Sequence, residues 1–410
     1  MENEGFWKSF LSSTKKHGKL NLSITLGGSF MTNYKFLQPV KLRNGVTIKN
    51  RIAMSPMTEM SSFEDGSITN DEIDYFRLRA GGPGMVITGC ANVNDLGKGF
   101  EGELSVAHET MLPGLTRLAN AIKINHTKAI LQIFSAGRMT NSRVLRGKQP
   151  VSASAVASER LGAETPRALS NEEVEQTIQD FANATQLAID AGFDGVELHG
   201  ANTYLIQQFF SPHSNRRTDH WGGSLEKRMN FPLAVIDACA DVIKKSDSPS
   251  FILGYRLSPE EIEVPGIRMA DTLALIKELN KKPIDYLHIS LADAWQGSIV
   301  DRDDKQPLFE KIQEVLADDL PLMVVGHLAS PAQVEKLIAA GVQFAAMGRE
   351  LIREPKWVQK VEADDEQAIR YTFSLRDLDE LKITPPLLNF LRTAFKKGFP
   401  ISTDEKQIRI

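Results

Sequence analysis

Residues 190–210 read "DAGFDGVELHGANTYLIQQFF", and the reading of this stretch decides the fold. Gly192 and Gly195 lead into Val196 and Leu198, the apolar positions of a short run, "GVELHG" (195–200), that suits a strand buried on both faces. The pattern then breaks, because His199, Asn202 and Tyr204 follow within six residues and a long polar loop comes after them. Upstream, "NEEVEQTIQDFANATQLAIDAG" carries apolar residues at helical spacing. Ser170 or Asn171 is placed to cap it, acids occupy its first turn, and Gly192 stands where a C′ glycine belongs.

The same unit recurs along the chain. Short apolar runs stand at 51–57, 84–89, 129–134, 195–200, 251–257, 286–290, 322–326 and 344–349, and helical stretches lie between them. "SPAQVEKLIAAG" repeats the helix design, with Ser330 as cap, Pro331 at the first position and Gly341 at the end. Eight βα units in strict alternation imply a closed (β/α)8 TIM barrel, an α/β fold in a single domain. The alternative is an open doubly wound sheet, and the absence of a G-x-G-x-x-G after the first strand weighs against it as a dinucleotide binder. Asn44-Gly45 within "PVKLRNGVTIKNR" predicts a hairpin able to plug the N-terminal mouth of the barrel. Residues 1–30 read as an extension outside the fold and 31–360 as the barrel. Residues 361–410 read as a C-terminal extension whose segment "TPPLLNFLRTAFKKGF" packs on the barrel or on a neighbouring subunit in a homo-oligomer.

Composition excludes several classes. The chain has 410 residues, 42% of them apolar and 24% charged, which is enough for a sizeable core. The net charge is −4 and no basic block stands out, which argues against nucleic acid or an anionic membrane as partner. Two cysteines rule out a disulfide scaffold, leave no thiolate set for an iron–sulfur cluster and favour a reducing cytoplasm. There is no apolar run of roughly 18 residues to span a bilayer.

Active sites of such barrels lie at the C-terminal ends of the strands. There the sequence places Pro56, Met57 and Thr58, then Gly89 and Cys90, Gln132 with Arg138 beyond it, the His199–Asn202–Tyr204 trio, Arg256, Gly326-His327 and Gly348-Arg349. The last two ends pair a glycine with an anion-binding residue, which fits a phosphate; a structural salt bridge at Arg349 is the other reading. Gln132 and Arg256 are polar residues inside apolar strands, and burying them without partners costs several kcal/mol. A planar heterocycle with a phosphate tail, such as FMN, would meet them, and a closed internal hydrogen-bond network would do so as well.

Three segments, "KNRIAMSPMT" (49–58), "HGANTYLIQQFFSPHSNRRTDHWGGSLEKR" (199–228) and "MGRELIREP" (347–355), make the chain resemble the Old Yellow Enzyme family of FMN-containing ene-reductases over roughly residues 34–358. The resemblance implies tightly bound, non-covalent FMN, NADH or NADPH as reductant, and a small electron-poor alkene as substrate. It implies that Pro56, Met57 and Thr58 lie against the flavin and that Cys90 lies near its edge. Gln132 would bond the pyrimidine part, Arg256 would sit by N1 and the C2 carbonyl, and Gly326, His327, Gly348 and Arg349 would stand at the phosphate end. His199 and Asn202 would bind the substrate carbonyl oxygen, and Tyr204 would donate the proton. Many relatives have histidine where this chain has Asn202, and one branch has cysteine at the position of Thr58. A flavin-linked dehydrogenase and a flavin-binding protein without turnover are the rival readings. Asp219, Trp221 and Trp295 are further candidates for lining substrate access.

Overall fold

The computed structural model describes residues 33–393 and 401–402. Eight parallel strands close on themselves: β1 (Ile52–Met54), β2 (Met85–Asn92), β3 (Lys128–Phe134), β4 (Gly195–Gly200), β5 (Ile252–Leu257), β6 (Tyr286–Ser290), β7 (Leu322–Val325) and β8 (Phe344–Met347). Each pairs with the next in sequence, and β8 pairs back onto β1 through Ala345↔Ile52 and Met347↔Met54. The α-helices among the described residues are α1 (Asn70–Arg79), α2 (Leu112–Ile122), α3 (Asn171–Asp190), α4 (Leu205–Phe210), α5 (Leu225–Lys245), α6 (Met269–Leu279), α7 (Leu308–Gln313), α8 (Pro331–Ala339), α9 (Arg349–Arg353), α10 (Trp357–Glu362) and α11 (Pro385–Thr393). This is the (β/α)8 barrel that the repeated strand–helix alternation implies.

Local chemistry sets the helix ends. The Ser170 hydroxyl accepts from the Glu173 N–H while the Glu173 carboxylate accepts from the Ser170 N–H, and Ser330 and Gln333 form the same reciprocal cap on α8. Gly192 closes α3 at φ +82, a left-handed conformation that glycine adopts without a steric penalty.

Two strand ends differ from the sequence reading. β1 stops at Met54, and its ladder ends with the Ser55 N–H donating to the Met347 carbonyl, so residues 55–58 run free across the barrel top. Pro56 has no N–H with which to continue the pairing. β2 runs on to Asn92 with a register shift between Ile87 and Cys90, which puts Gly89 and Cys90 inside the strand rather than after it.

The barrel interior is layered. At the N-terminal end Met85, Ile130, Ile252, Met323 and Phe344 form an apolar layer, closed from below by Leu42 and Ile48 of the hairpin Val40–Lys41/Thr47–Ile48. Each such fully buried side chain contributes about 1.5–3 kcal/mol. Asn44 fastens the hairpin by donating from its side chain to the Phe251 carbonyl and from its backbone to Asp285. The alternate residues of the strands, such as Val196 and Leu198, face the helices in a second apolar shell. The residues after 360 fold back on the barrel: Leu387 and Leu391 are buried, the Thr384 and Ser61 hydroxyls share a 3.0 Å hydrogen bond, and the Arg79 guanidinium donates to the Ile352 and Leu381 carbonyls. The expected N-terminal extension at 1–30 lies outside the described residues. No helix among the described residues is long and apolar enough to cross a membrane.

Glu72, in the first turn of α1, is buried and accepts a 2.6 Å bond from the Ser62 hydroxyl. Burial raises its carboxyl to about 7 in spite of that bond. The folded state therefore holds this proton more tightly than the unfolded chain, so stability falls as pH rises from the ordinary carboxylate range to about 7 and then levels off. Glu72→Gln should raise the unfolding free energy at pH 8 by about 1–3 kcal/mol, with the gain shrinking toward zero near pH 4. Chemical denaturation at the two pH values checks this, and an equal effect at both would contradict it.

Candidate active site at the C-terminal mouth of the barrel

Above the apolar layer, the inward-facing residues turn polar. Glu197, fully buried in β4, accepts from the Gln132 amide of β3 (2.7 Å), the Tyr286 hydroxyl of β6 (3.0 Å) and bonds His288 Nδ1 (2.9 Å). Gly254 of β5 makes room for this, since a Cβ there would run into the Tyr286 ring. Burial alone would raise Glu197; the charge and hydrogen bond of His288, the Arg256 guanidinium and Gln132 outweigh it and hold the carboxylate below its ordinary range. Burial lowers His288, against the pull of Glu197, and its Nε2 is buried without a partner among the described residues.

Arg256 lies between these groups and the mouth. It is level with His199 on β4 and with His288 on β6. Its Nη2 donates to the Ser290 hydroxyl at 2.9 Å, and that hydroxyl donates to Asn202 Oδ1 at 2.9 Å. The carboxamide oxygen of Asn202 thereby accepts one bond, which leaves its NH2 as the donor end of a side chain on the cavity wall. Arg256 Nε is buried with no partner among the described residues.

The turn carrying Asn202 is strained. Asn202 and Thr203 have φ values of +55 and +66, and the β-branched Thr203 is an outlier there. The Asn202 N–H donates to Ser258 Oγ, the Thr203 N–H donates to Gln207, and Gln208 donates to the Thr203 carbonyl. These bonds hold the turn so that one strand end delivers His199, Asn202 and Tyr204 together. His199 and Tyr204 meet edge to face with ring centroids 4.9 Å apart, and Phe134 backs Tyr204 at 4.8 Å.

His199 is buried, and its Nδ1 accepts a 3.3 Å bond from the Ala201 N–H. Burial, then the charges of Arg256 and His288, hold the imidazole well below its ordinary value. A neutral ring that accepts at Nδ1 carries its proton on Nε2. Burial, with Cys90 and Glu103 nearby, pushes the Tyr204 phenol up, so it stays protonated at neutral pH.

A cavity at these strand ends, lined by Asn202, Thr203 and Arg256 but not by the His199 and Tyr204 rings, has a volume of about 870 Å3, within the ~300–1,000 Å3 range of small-molecule and cofactor sites. Pro56, Met57, Thr58, Asn202, Arg256, Gly326, His327, Gly348 and Arg349 line it. Gln132 sits beneath the rim in the Glu197 network. Cys90 packs beside Phe134, Ala136 and Tyr204 rather than on the cavity wall, and burial, with Glu103 and Glu59, raises its thiol well above the ordinary value. Asp219, Trp221 and Trp295 do not line the cavity: Asp219 pairs with Arg217, Trp221 packs on Phe231, and Trp295 packs on Phe309. Glu197, His288 and Ser290 were not singled out in the sequence, although the rule that draws attention to Gln132 and Arg256, a polar residue in an apolar strand, applies to all three.

A planar cofactor with an anionic tail fits this lining. The orphaned Arg256 Nε needs an acceptor, and no acidic side chain stands on the cavity wall. Gly326 has φ +149 and a Cβ there would lie 2.5 Å from the Ala294 nitrogen; a Cβ at Gly348 would lie 2.7 Å from Met57 Sδ. Both positions keep the wall down to bare backbone.

Residues 35–367 match the model of the NADH:flavin oxidoreductase / NADH oxidase family. The chain is 43% identical over 362 residues to the NADH:fumarate oxidoreductase of Klebsiella pneumoniae, covering 88% of this chain and 39% of that protein. It is 42% identical to the probable NADH-dependent flavin oxidoreductase YqiG of Bacillus subtilis, covering 85% of this chain and 94% of that one. Among solved structures, morphinone reductase superposes with a TM-score of 0.70 at 26% identity, covering 82% of this chain and 91% of the other. The chain spans about two fifths of the length of the fumarate relative, and 35% of an NADH:acrylate oxidoreductase from Vibrio harveyi.

Gly326→Ala should weaken flavin retention severely, because the added methyl meets backbone at a φ that costs an L-residue about 1–3 kcal/mol. Gly348→Ala should weaken it less, since its methyl meets a flexible methionine end. Visible flavin absorbance per protein after gel filtration reads the order, and circular dichroism controls for folding. A full flavin complement in Gly326→Ala would contradict the assignment of this wall to the cofactor.

Proposed function

The chain belongs to the NADH:flavin oxidoreductase / NADH oxidase family, the Old Yellow Enzyme group of FMN proteins, and from that premise we propose that it reduces the activated C=C bond of small α,β-unsaturated carbonyl compounds. When bound, FMN supplies the hydride, taken from NADH or NADPH and passed to the β-carbon of the acceptor. Arg256, Gln132 and the Pro56–Thr58 segment would hold the ring, and Gly326, His327, Gly348 and Arg349 the phosphate.

The remaining work falls to the β4 turn. The acceptor's carbonyl oxygen gains negative charge as the double bond is reduced. His199 Nε2–H and the Asn202 NH2 donate to that oxygen, and one such donor lowers a barrier of this kind by about 3–4 kcal/mol. Ser290 keeps Asn202 in the donor orientation by occupying its oxygen. Tyr204 then supplies the proton for the α-carbon. The observation that carries this reading is the geometry of the turn: the Ala201 N–H occupies Nδ1 of His199, Ser290 occupies the Asn202 oxygen, and the His199 and Tyr204 rings meet edge to face, while burial favours the neutral imidazole and the protonated phenol. All three present hydrogens rather than lone pairs, as a developing enolate requires.

The relatives of more than twice this length favour a second reading, in which this barrel accepts hydride from NADH and hands electrons to another acceptor unit. Turnover of a simple enone by the isolated chain separates the two.

Tyr204→Phe should slow the alkene half-reaction by about 100- to 10,000-fold while flavin reduction by NADH keeps its rate. Anaerobic stopped-flow of the two half-reactions measures both. Equal losses in the two would remove Tyr204 from the proton-donor role.

A further inference from the structure

Among the described residues the cavity wall carries four arginines, Arg160, Arg256, Arg349 and Arg353, and no acidic side chain. Three of them have evident duties. Arg256 stands over Glu197 and binds Ser290, Arg353 is paired with Glu350 at 2.6 Å, and Arg349 adjoins Gly348 at the proposed phosphate end. Arg160 is different. It arrives from the long loop between β3 and α3, on the side of Asn202 and Thr203. Its guanidinium makes no hydrogen bond or ion pair among the described residues.

Arg160 is exposed, and the loop that carries it is anchored at its base. Arg138, 4% exposed, donates from Nη1 to the Val156 and Ala157 carbonyls and bonds His213 through Nη2. The other nitrogen of His213 bonds the Glu159 carboxylate at 3.3 Å. The Arg160 N–H donates to Ser158 Oγ, and the Ala163 N–H donates to the Arg160 carbonyl. The nearby acids are thus engaged elsewhere, Glu159 with His213 and Glu164 with Ser142, and the loop is held at its base by a buried side chain. Arg160 lines the cavity together with Asn202 and Thr203, the residues that lead into Tyr204.

We propose that Arg160 recognises a carboxylate on the acceptor, so that the substrate class is an unsaturated carbonyl compound bearing a second, anionic group on the Tyr204 side. This rests on the reading of Tyr204 and the His199–Asn202 pair given above. The carbonyl goes to that pair, the double bond lies across the ring, and the carboxylate meets a planar guanidinium that offers two parallel donors. A phosphate of NADH is the other anion that reaches this mouth, and the test separates the two.

Matched probes decide it. Monomethyl maleate and dimethyl maleate share an ester carbonyl and differ in one negative charge. In the alkene half-reaction, Arg160→Ala should raise the half-saturating concentration of the acid about five- to tenfold and leave the diester and NADH unchanged. Arg160→Lys should recover most of the loss. Calorimetric titration of the oxidised, flavin-loaded protein with monomethyl succinate and dimethyl succinate reads binding without turnover and should show the same selective loss. Equal changes for acid and diester, no change for the acid, or an effect confined to NADH would each overturn the assignment. If the wild-type protein reduces neither maleate, the alkene-reductase reading fails, and the calorimetry still decides whether Arg160 selects the carboxylate.

Discussion

A guanidinium buried at the mouth of a barrel needs a counter-charge and acceptors, and the upper interior of this protein is organised around that need. Arg256 is 5% exposed. An unpaired charge in such a place costs several kcal/mol. Glu197 provides the counter-charge from the neighbouring strand and is itself held ionised by Gln132, Tyr286 and His288. Ser290 provides one acceptor and relays the contact to Asn202. Nε, which is buried, has no acceptor within the described protein. In the proposed site an electron-rich ring edge would meet that hydrogen.

The same arrangement joins the two halves of the proposed chemistry. In the proposed site one end of the Arg256–Ser290–Asn202 chain would meet the cofactor, and the other would orient an oxyanion donor for the substrate. Strain in the 202–203 turn is tolerated because side chains from α4 and the loop after β5 hold both residues in place. His199 needs no neighbouring carboxylate, since desolvation and the adjacent positive charge keep it neutral. The apolar layer and the hairpin plug below give this polar layer a rigid floor.

Much of this was legible in the sequence. The eight apolar runs, the caps at Ser170 and Ser330 and the Asn44-Gly45 hairpin are local signals, and local signals survive folding. Gln132 and Arg256 announced themselves as polar residues in apolar strands. Glu197 and His288 obey the same rule, but their importance depends on β3, β4 and β6 bringing them together with Gln132 and Tyr286, and register between distant strands is not a local property. Ser290 looks like any serine at a strand end until Arg256 and Asn202 converge on it. The end of β1 was misjudged because "RIAMSPM" is apolar beyond the point where Pro56 interrupts the ladder. The Asp219–Trp221 stretch drew attention by its residue types, yet its side chains brace the loop before α5. Arg160 lies in a loop whose placement comes from Arg138 and His213, far from it in sequence.

In the proposed site Arg256 is the positive charge beside the cofactor ring. The direct measurement is the two-electron midpoint potential of bound FMN in the wild type, Arg256→Lys and Arg256→Gln, each at full flavin occupancy. Loss of the charge in Arg256→Gln should lower the potential by about 30 mV or more, a tenfold change in the reduction equilibrium, with Arg256→Lys in between. Three equal potentials would mean that the guanidinium does not face the ring, and the site as described here would be wrong.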